Sequence, residues 1–214
     1  MFDKIMNSKI NEVADWIIRL FILNFLIIFF SLGIITIYPA LSAGYNMFND
    51  YANKKSPKLF SGYFKYFKEA LGYKIILNII IVLVFLLGYL NIRYYDLSLK
   101  DNSTTFLLIG YYVSLALVAM WAATTFYSIV VFRVNTKVKF FNLLKLSFYL
   151  AGKYYFLTLL IVITVIAPAI LILLNNSITT FIFVFLGVSV PLIFQVLITK
   201  PVVRYIEKIG DRNG

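Results

Sequence analysis

Residues 75–92 read IILNIIIVLVFLLGYLNI, eighteen consecutive positions without a charge, with Asn78 and Asn91 as the only amides. Coiled as a helix at 1.5 Å per residue, such a run is about 27 Å long, close to the thickness of a bilayer's hydrocarbon core. Lys74 and Arg93 bracket it. The apolar residues are continuous rather than alternating, so the run predicts a helix and not a strand of a membrane barrel. On either side of it, comparable runs cover about 16–38, 106–132, 154–174 and 178–199. The sequence therefore predicts an all-α, polytopic membrane protein with about five transmembrane helices, forming a single helical membrane domain over residues 1–214. Composition agrees: 62% of the chain is hydrophobic and 14% charged, whereas a soluble domain is about half apolar.

The connections carry their own patterns. In the longest, 39–73, Leu59, Phe60, Tyr63, Phe64, Phe67 and Leu71 recur at three and four residues between lysines. This predicts a cytoplasmic amphipathic segment over about 56–71, capped by Ser56 with Pro57 in its first turn, lying on the membrane surface. A second amphipathic segment, about 137–150, carries Phe140, Leu143, Leu144, Ser147 and Phe148. Gly72 and Gly152, Lys65 and Lys145, and Phe60 and Phe140 align at a spacing of eighty residues, the pattern of a duplicated helix-plus-span unit or of chance in biased composition. Residues 1–12 suit an interfacial helix or a frayed terminus. Asp15 and Arg19 are four apart and can pair. Pro168 is expected to bend or unwind the fourth span, and Asn175-Asn176-Ser177 to turn the chain into the fifth.

Basic residues fix an orientation. Fifteen fall in the 39–74 gap, the 133–153 gap and the tail, against five on the opposite side. The excess predicts a multi-pass protein of the cell membrane, N-terminus outside and C-terminus cytoplasmic. The sequon at Asn102-Ser103-Thr104 would then be external.

The chemistry is sparse. With no Cys and no His, thiol nucleophiles, imidazole bases and the commonest zinc ligands are excluded together. No carboxylate pair has a spacing suited to acid–base catalysis and no Gly-rich phosphate loop is present, so neither an enzyme nor a cofactor is expected. The net charge of +11 is dispersed between spans, which favours anionic lipid over nucleic acid. No span carries an Asp, Glu or Lys near its middle, leaving the amides Asn24, Asn78 and Gln195 as candidate intramembrane polar contacts. They can line a polar route; the plainer reading is interhelical hydrogen bonding, roughly 0.6 kcal/mol apiece. Lys58, Lys65, Lys68, Arg133, Lys139 and Lys145 are the candidate contacts to lipid or a partner.

Trp16-Ile17-Ile18-Arg19-Leu20, then Thr36-Ile37-Tyr38-Pro39-Ala40 with Ala43, and the Phe-rich basic stretch Phe60 to Phe67 together resemble the YesL family of bacterial membrane proteins, DUF624. The family usually has Gly before the proline, where this chain has Tyr38. The resemblance implies an accessory membrane subunit of a carbohydrate ABC importer, with an ABC permease or another membrane subunit as partner. It carries over no catalytic residues. Glu69-Ala70-Leu71-Gly72 also resembles the cytoplasmic coupling loop of ABC permeases. Two other functions stay open: an autonomous small-solute transporter or channel, and a lipid-binding or assembly factor.

Overall fold

The computed structural model describes residues 2–101, 104–174 and 176–210. Every element among them is helical: α1 (Phe2–Ser31), a 3-10 turn (Ile34–Thr36), α2 (Ile37–Ala52), α3 (Leu59–Lys68), α4 (Leu71–Asp101), α5 (Thr105–Val134), α6 (Phe140–Lys153), α7 (Tyr155–Leu173), α8 (Ser177–Leu186) and α9 (Ser189–Gly210). Five helices are long and apolar enough to cross a membrane: Val13–Ser31, Leu71–Asp101, Thr105–Val134, Tyr155–Leu173 and Ser189–Ile209. Their outward faces are studded with exposed Phe, Leu and Ile, the side chains a bilayer would solvate. Asn102 and Ser103 of the sequon and Asn175 of the expected turn lie outside the described residues. Beside them, Asn176 caps α8, accepting from the Thr179 amide at 2.9 Å.

The chain divides into two compact units: residues 1–71 with 163–197, and 72–162 with 198–214.

The first unit departs most from the sequence expectation. The first span ends at Ser31, not near 38, and residues 37–52 form a further helix, α2. Pro39 reads in sequence as a stop. Instead it occupies the first turn of α2, where a missing N–H breaks no intrahelical bond. Tyr38 is an ordinary helical residue, 2% exposed, so no glycine is needed before the proline. The turn between α1 and α2 is held by Thr36, whose Oγ1 donates toward the Phe30 carbonyl at 2.5 Å and the Gly33 carbonyl at 2.6 Å. Helix α2 runs back along α1. A Cβ on Gly44 would lie 2.4 Å from the Ile27 side chain, while Tyr51 stands edge-on to Trp16, ring centroids 5.9 Å apart. Small residues at Ala40, Ala43 and Gly44 permit this close approach.

α2 ends in a Schellman motif: the Lys54 amide donates to the Tyr51 carbonyl at 3.0 Å and the Lys55 amide to the Asp50 carbonyl at 2.9 Å. Lys54 holds the left-handed position with φ 58°, where glycine is usual. Helix α3 starts at Leu59 after Lys58 rather than at Ser56, and Ser56 makes no cap. Its Tyr63 and Phe67 are buried against Phe30, with centroids 6.0 and 5.1 Å away. Tyr63 also donates to the Ala40 carbonyl at 3.4 Å. The segment is thus packed against α1 and α2 along one face, not laid freely on a surface.

In the second unit, α4 and α5 are 31 and 30 residues long, about 45 Å each, so this hairpin outruns a hydrocarbon core by roughly 15 Å. The expected polar gap after residue 92 is mostly helix. Asp96 pairs there with Arg93 at 3.3 Å and Lys100 at 3.5 Å. Helix α6 buries Leu143, Ser147, Leu150 and Ala151. Positions 143 and 147 match Tyr63 and Phe67 of α3 at the spacing of eighty residues, and Lys65 and Lys145 are exposed in both. The aligned glycines, by contrast, face open space: a Cβ added at Gly72 or Gly152 would meet nothing within 4 Å.

α7 runs unbroken through Pro168, so the expected unwinding does not occur there. The interruption lies inside the expected 178–199 run, at Gly187-Val188 between α8 and α9, and the helix long enough to cross there is Ser189–Ile209.

Candidate functional site at an interrupted helix

A helix interrupted within an apolar segment leaves carbonyls at the end of one piece and amides at the start of the next without partners. Asn24 answers both. Its Nδ2 donates to the Phe183 carbonyl at 3.1 Å and the Val184 carbonyl at 2.7 Å. Its Oδ1 accepts from the Val188 and Ser189 amides, each at 2.8 Å. Both donors and the acceptor of the amide are committed, and Asn24 is fully buried. Phe21 stacks edge-on against Phe185 one turn away, at 5.5 Å. The Ser189 hydroxyl beside the junction is buried without a hydrogen-bond partner.

The other two amides are also buried but not brought to this junction. Gln195 lies two turns along α9, its Nε2 donating to the Thr164 hydroxyl at 2.8 Å. Asn78 is 2% exposed on α4, in the other unit. Within the first unit, then, the amides tie helix to helix, and one of them repairs a break.

α2 adds polar groups that sequence reading assigned to a loop. Ser42, Asn46, Asn49 and Asp50 are all buried. Ser42, Asn46 and Asp50 repeat every four residues along one face. The Ser42 Oγ and Asn46 Oδ1 have no hydrogen-bond partner. Asp50 accepts from the Tyr66 hydroxyl through a short bond and lies 3.9 Å from the Lys55 ammonium. At the same end, Arg19 pairs with Asp15 at 2.5 Å and sits over the Tyr51 ring, 4.6 Å from its centroid. The Asp15–Arg19 pair was legible as a four-residue spacing. The carboxylate on α2 was missed because its helix was.

Of the basic candidates, Lys58, Lys65, Lys68, Lys139 and Lys145 are exposed and Arg133 is half-buried. Lys74 is instead fully buried, over the Phe132 ring at 5.4 Å, while Tyr73 stacks on that ring and donates to the Val138 carbonyl at 3.3 Å. Lys153 closes α6 onto the tail of α9, 3.3 Å from the Tyr205 ring centroid. Between α4 and α5 a cavity of about 210 Å³ is lined by Val84, Leu87, Gly88, Leu117 and Val118, with Asn91, Ser114 and Trp121 as its polar groups. Ser114 donates to Asn91 Oδ1 at 3.2 Å. Sequence reasoning passed over this pair, although Asn91 stands next to the end of the 75–92 run. Among the described residues no group of His, Cys, Asp and Glu could hold a metal ion.

The family model DUF624, a protein of unknown function, matches residues 20–92. The matched segment takes in Asn24, the α1–α2 turn, α2, α3 and α4 as far as Ile92. It stops well short of the α8–α9 junction that Asn24 serves. The resemblance to DUF624 read from Trp16 onward is thereby supported over this part of the chain. No curated protein and no solved structure matches the chain.

Proposed function

We propose that the protein is an accessory membrane subunit that docks on a carbohydrate ABC importer, with its C-terminus cytoplasmic. The observation that carries this reading is the outer face of α6. Phe141, Phe148 and Tyr149 are exposed beside Lys139 and Lys145, while the inner face is buried in the protein's own core. An aromatic and basic helix face with its back already packed is suited to a groove on a partner bearing acidic groups. The importer as the kind of partner rests on the resemblance to the YesL family carried by Trp16–Leu20, Thr36–Ala40 and Phe60–Phe67. The test is affinity purification in mild detergent, with the co-purifying proteins identified. A permease or ATPase should accompany the wild-type chain and be lost, tenfold or more, from a Phe141→Ala, Lys145→Glu double variant. Absence of both under conditions that keep known importers intact would remove the reading.

One observation favours a second reading, an autonomous transporter or channel for a small solute. Transporters use interrupted membrane helices for their binding sites, and α8–α9 is interrupted. Asn24 already occupies the backbone groups that such a site would offer, which is why this reading ranks second. Solute uptake by the purified protein alone in liposomes would promote it. A lipid-binding or assembly factor would instead retain anionic lipid and bring down no protein.

A further inference from the structure

We infer that α2 and α3 form a hairpin lodged at bilayer depth beside α1, its tip at Asn53–Lys58 on the face where the N-terminal end of α1 lies. This rests on α1 crossing the membrane and is independent of the importer reading.

The direction of α2 follows from contacts at both its ends. Gly44 meets Ile27, and Tyr51 meets Trp16 and Arg19, so the chain climbs back along α1 toward the residues at which α1 began. From Ala40 to Tyr51 the climb is about 16 Å. Helix α3 then returns. Pro57 lies by Tyr51, whose hydroxyl donates to its carbonyl at 3.4 Å, whereas Phe67 packs on Phe30 in the last turn of α1.

The two ends of this bundle differ chemically as the two levels of a bilayer do. Trp16, Tyr51, Arg19, Lys54, Lys55 and Lys58 gather at the tip, the aromatic and basic signature of a membrane–water interface. At the other end, Leu32, Ile34 and Ile35 of the α1–α2 turn are more than half exposed, an apolar turn that lipid solvates and water does not. Thr36 meanwhile satisfies carbonyls of that turn, as hydrocarbon requires. A surface helix would keep its polar side wet. α2 buries thirteen of its sixteen residues, Asn46, Asn49 and Asp50 among them. The buried row Ser42, Asn46 and Asp50 is thereby placed along the depth of the membrane.

The chain has no native cysteine, so single cysteines report without background. Asn11→Cys, Ser56→Cys, Lys58→Cys and Lys68→Cys replace exposed side chains. Each is treated with an impermeant maleimide in intact cells and in inverted vesicles, with detergent-opened membranes as the full-labelling control. Positions 11, 56 and 58 should label from one common side and position 68 from the other, each with at least a tenfold preference. Labelling of 56 and 58 from the same side as 68 would return the segment to a surface helix and overturn the proposal. So would labelling of 56 and 58 from neither side until detergent is added.

Discussion

Asn24 is the residue whose replacement tells most. Its amide serves two carbonyls and two amides at the α8–α9 junction; because the Phe183 carbonyl also accepts from the Gly187 amide at 3.0 Å, Asn24→Leu strands three backbone groups rather than one side chain. An unsatisfied buried polar group costs about 1–3 kcal/mol. We expect Asn24→Leu to lose about 3 kcal/mol or more in reversible unfolding in detergent micelles, and Asn24→Asp, measured in acidic buffer where a buried carboxyl is neutral and keeps the acceptor side, to lose less. Equal losses would mean that accepting from the Val188 and Ser189 amides carries nothing. Lys54 offers the opposite sign. It holds φ 58° in a C-terminal cap where glycine fits without strain. Lys54→Gly should therefore raise stability by about 0.5–1 kcal/mol, readable as an upward shift of the thermal midpoint. Neither residue's setting was legible in sequence. Asn24 looked like one amide among several because its partners are some 160 positions away. Lys54 looked like one lysine in a basic gap because no glycine marked the cap.

Among the elements, the α1–α2 contact and the α6–α9 contact are held by different physics. The first is steric: a Cβ on Gly44 would fall 2.4 Å from Ile27 Cδ1 and 3.2 Å from Leu192 Cδ1. Gly44→Leu should cost about 1–3 kcal/mol through overpacking, and Gly44→Ala less, because one methyl displaces only the Ile27 side chain, whose Cγ1 would lie 2.9 Å away. Reversible unfolding of the two variants in micelles reads the difference. The second contact is electrostatic. The hydrogen bond to Tyr205 is the main cause pushing the exposed Lys153 ammonium above its ordinary range. A cation with a raised native pKa contributes fully below its unfolded value, about 10.5, and the contribution is lost as pH rises through the raised value. Protease accessibility of the α6–α7 link should therefore increase above about pH 10.5 in the wild type. In Lys153→Met it should change little over that range, and a wild-type profile there would sink the assignment. The element pattern itself was partly readable. The spans at 106–132 and 154–174 agree with α5 and α7 within a few residues, since uninterrupted apolar runs leave a helix no competitor. α2 was unreadable because its polar residues imitate a loop until a neighbouring helix covers them.

For the whole molecule, orientation rests on the distribution of basic residues. Moving Lys54, Lys55 and Lys58 to the N-terminal face reduces the excess from fifteen against five to twelve against eight, still in favour of a cytoplasmic C-terminus. Asn135→Cys, in the exposed link between α5 and α6, should accordingly resist an impermeant maleimide in intact cells and react in inverted vesicles. Labelling in intact cells would invert the assignment. What the residues dictate without any tertiary contact is the solvent: long apolar runs unsuited to water, charges confined to their ends, and hence helices, since only internal hydrogen bonding satisfies a backbone in lipid. They dictate also what chemistry is absent, because a chain without Cys or His cannot use them. Gly187 marks the break between α8 and α9 locally, since a Cβ there would lie 2.6 Å from the Phe183 backbone, but only packing decides which residue repairs it. Packing likewise makes α2 a helix and gives α3 a buried face. Hydropathy measures a segment's preference for lipid over water, and α2, with Asn46, Asn49 and Asp50 on it, has little. What holds it in place is contact with α1, and a contact between residues far apart in the chain leaves no local trace in either of them.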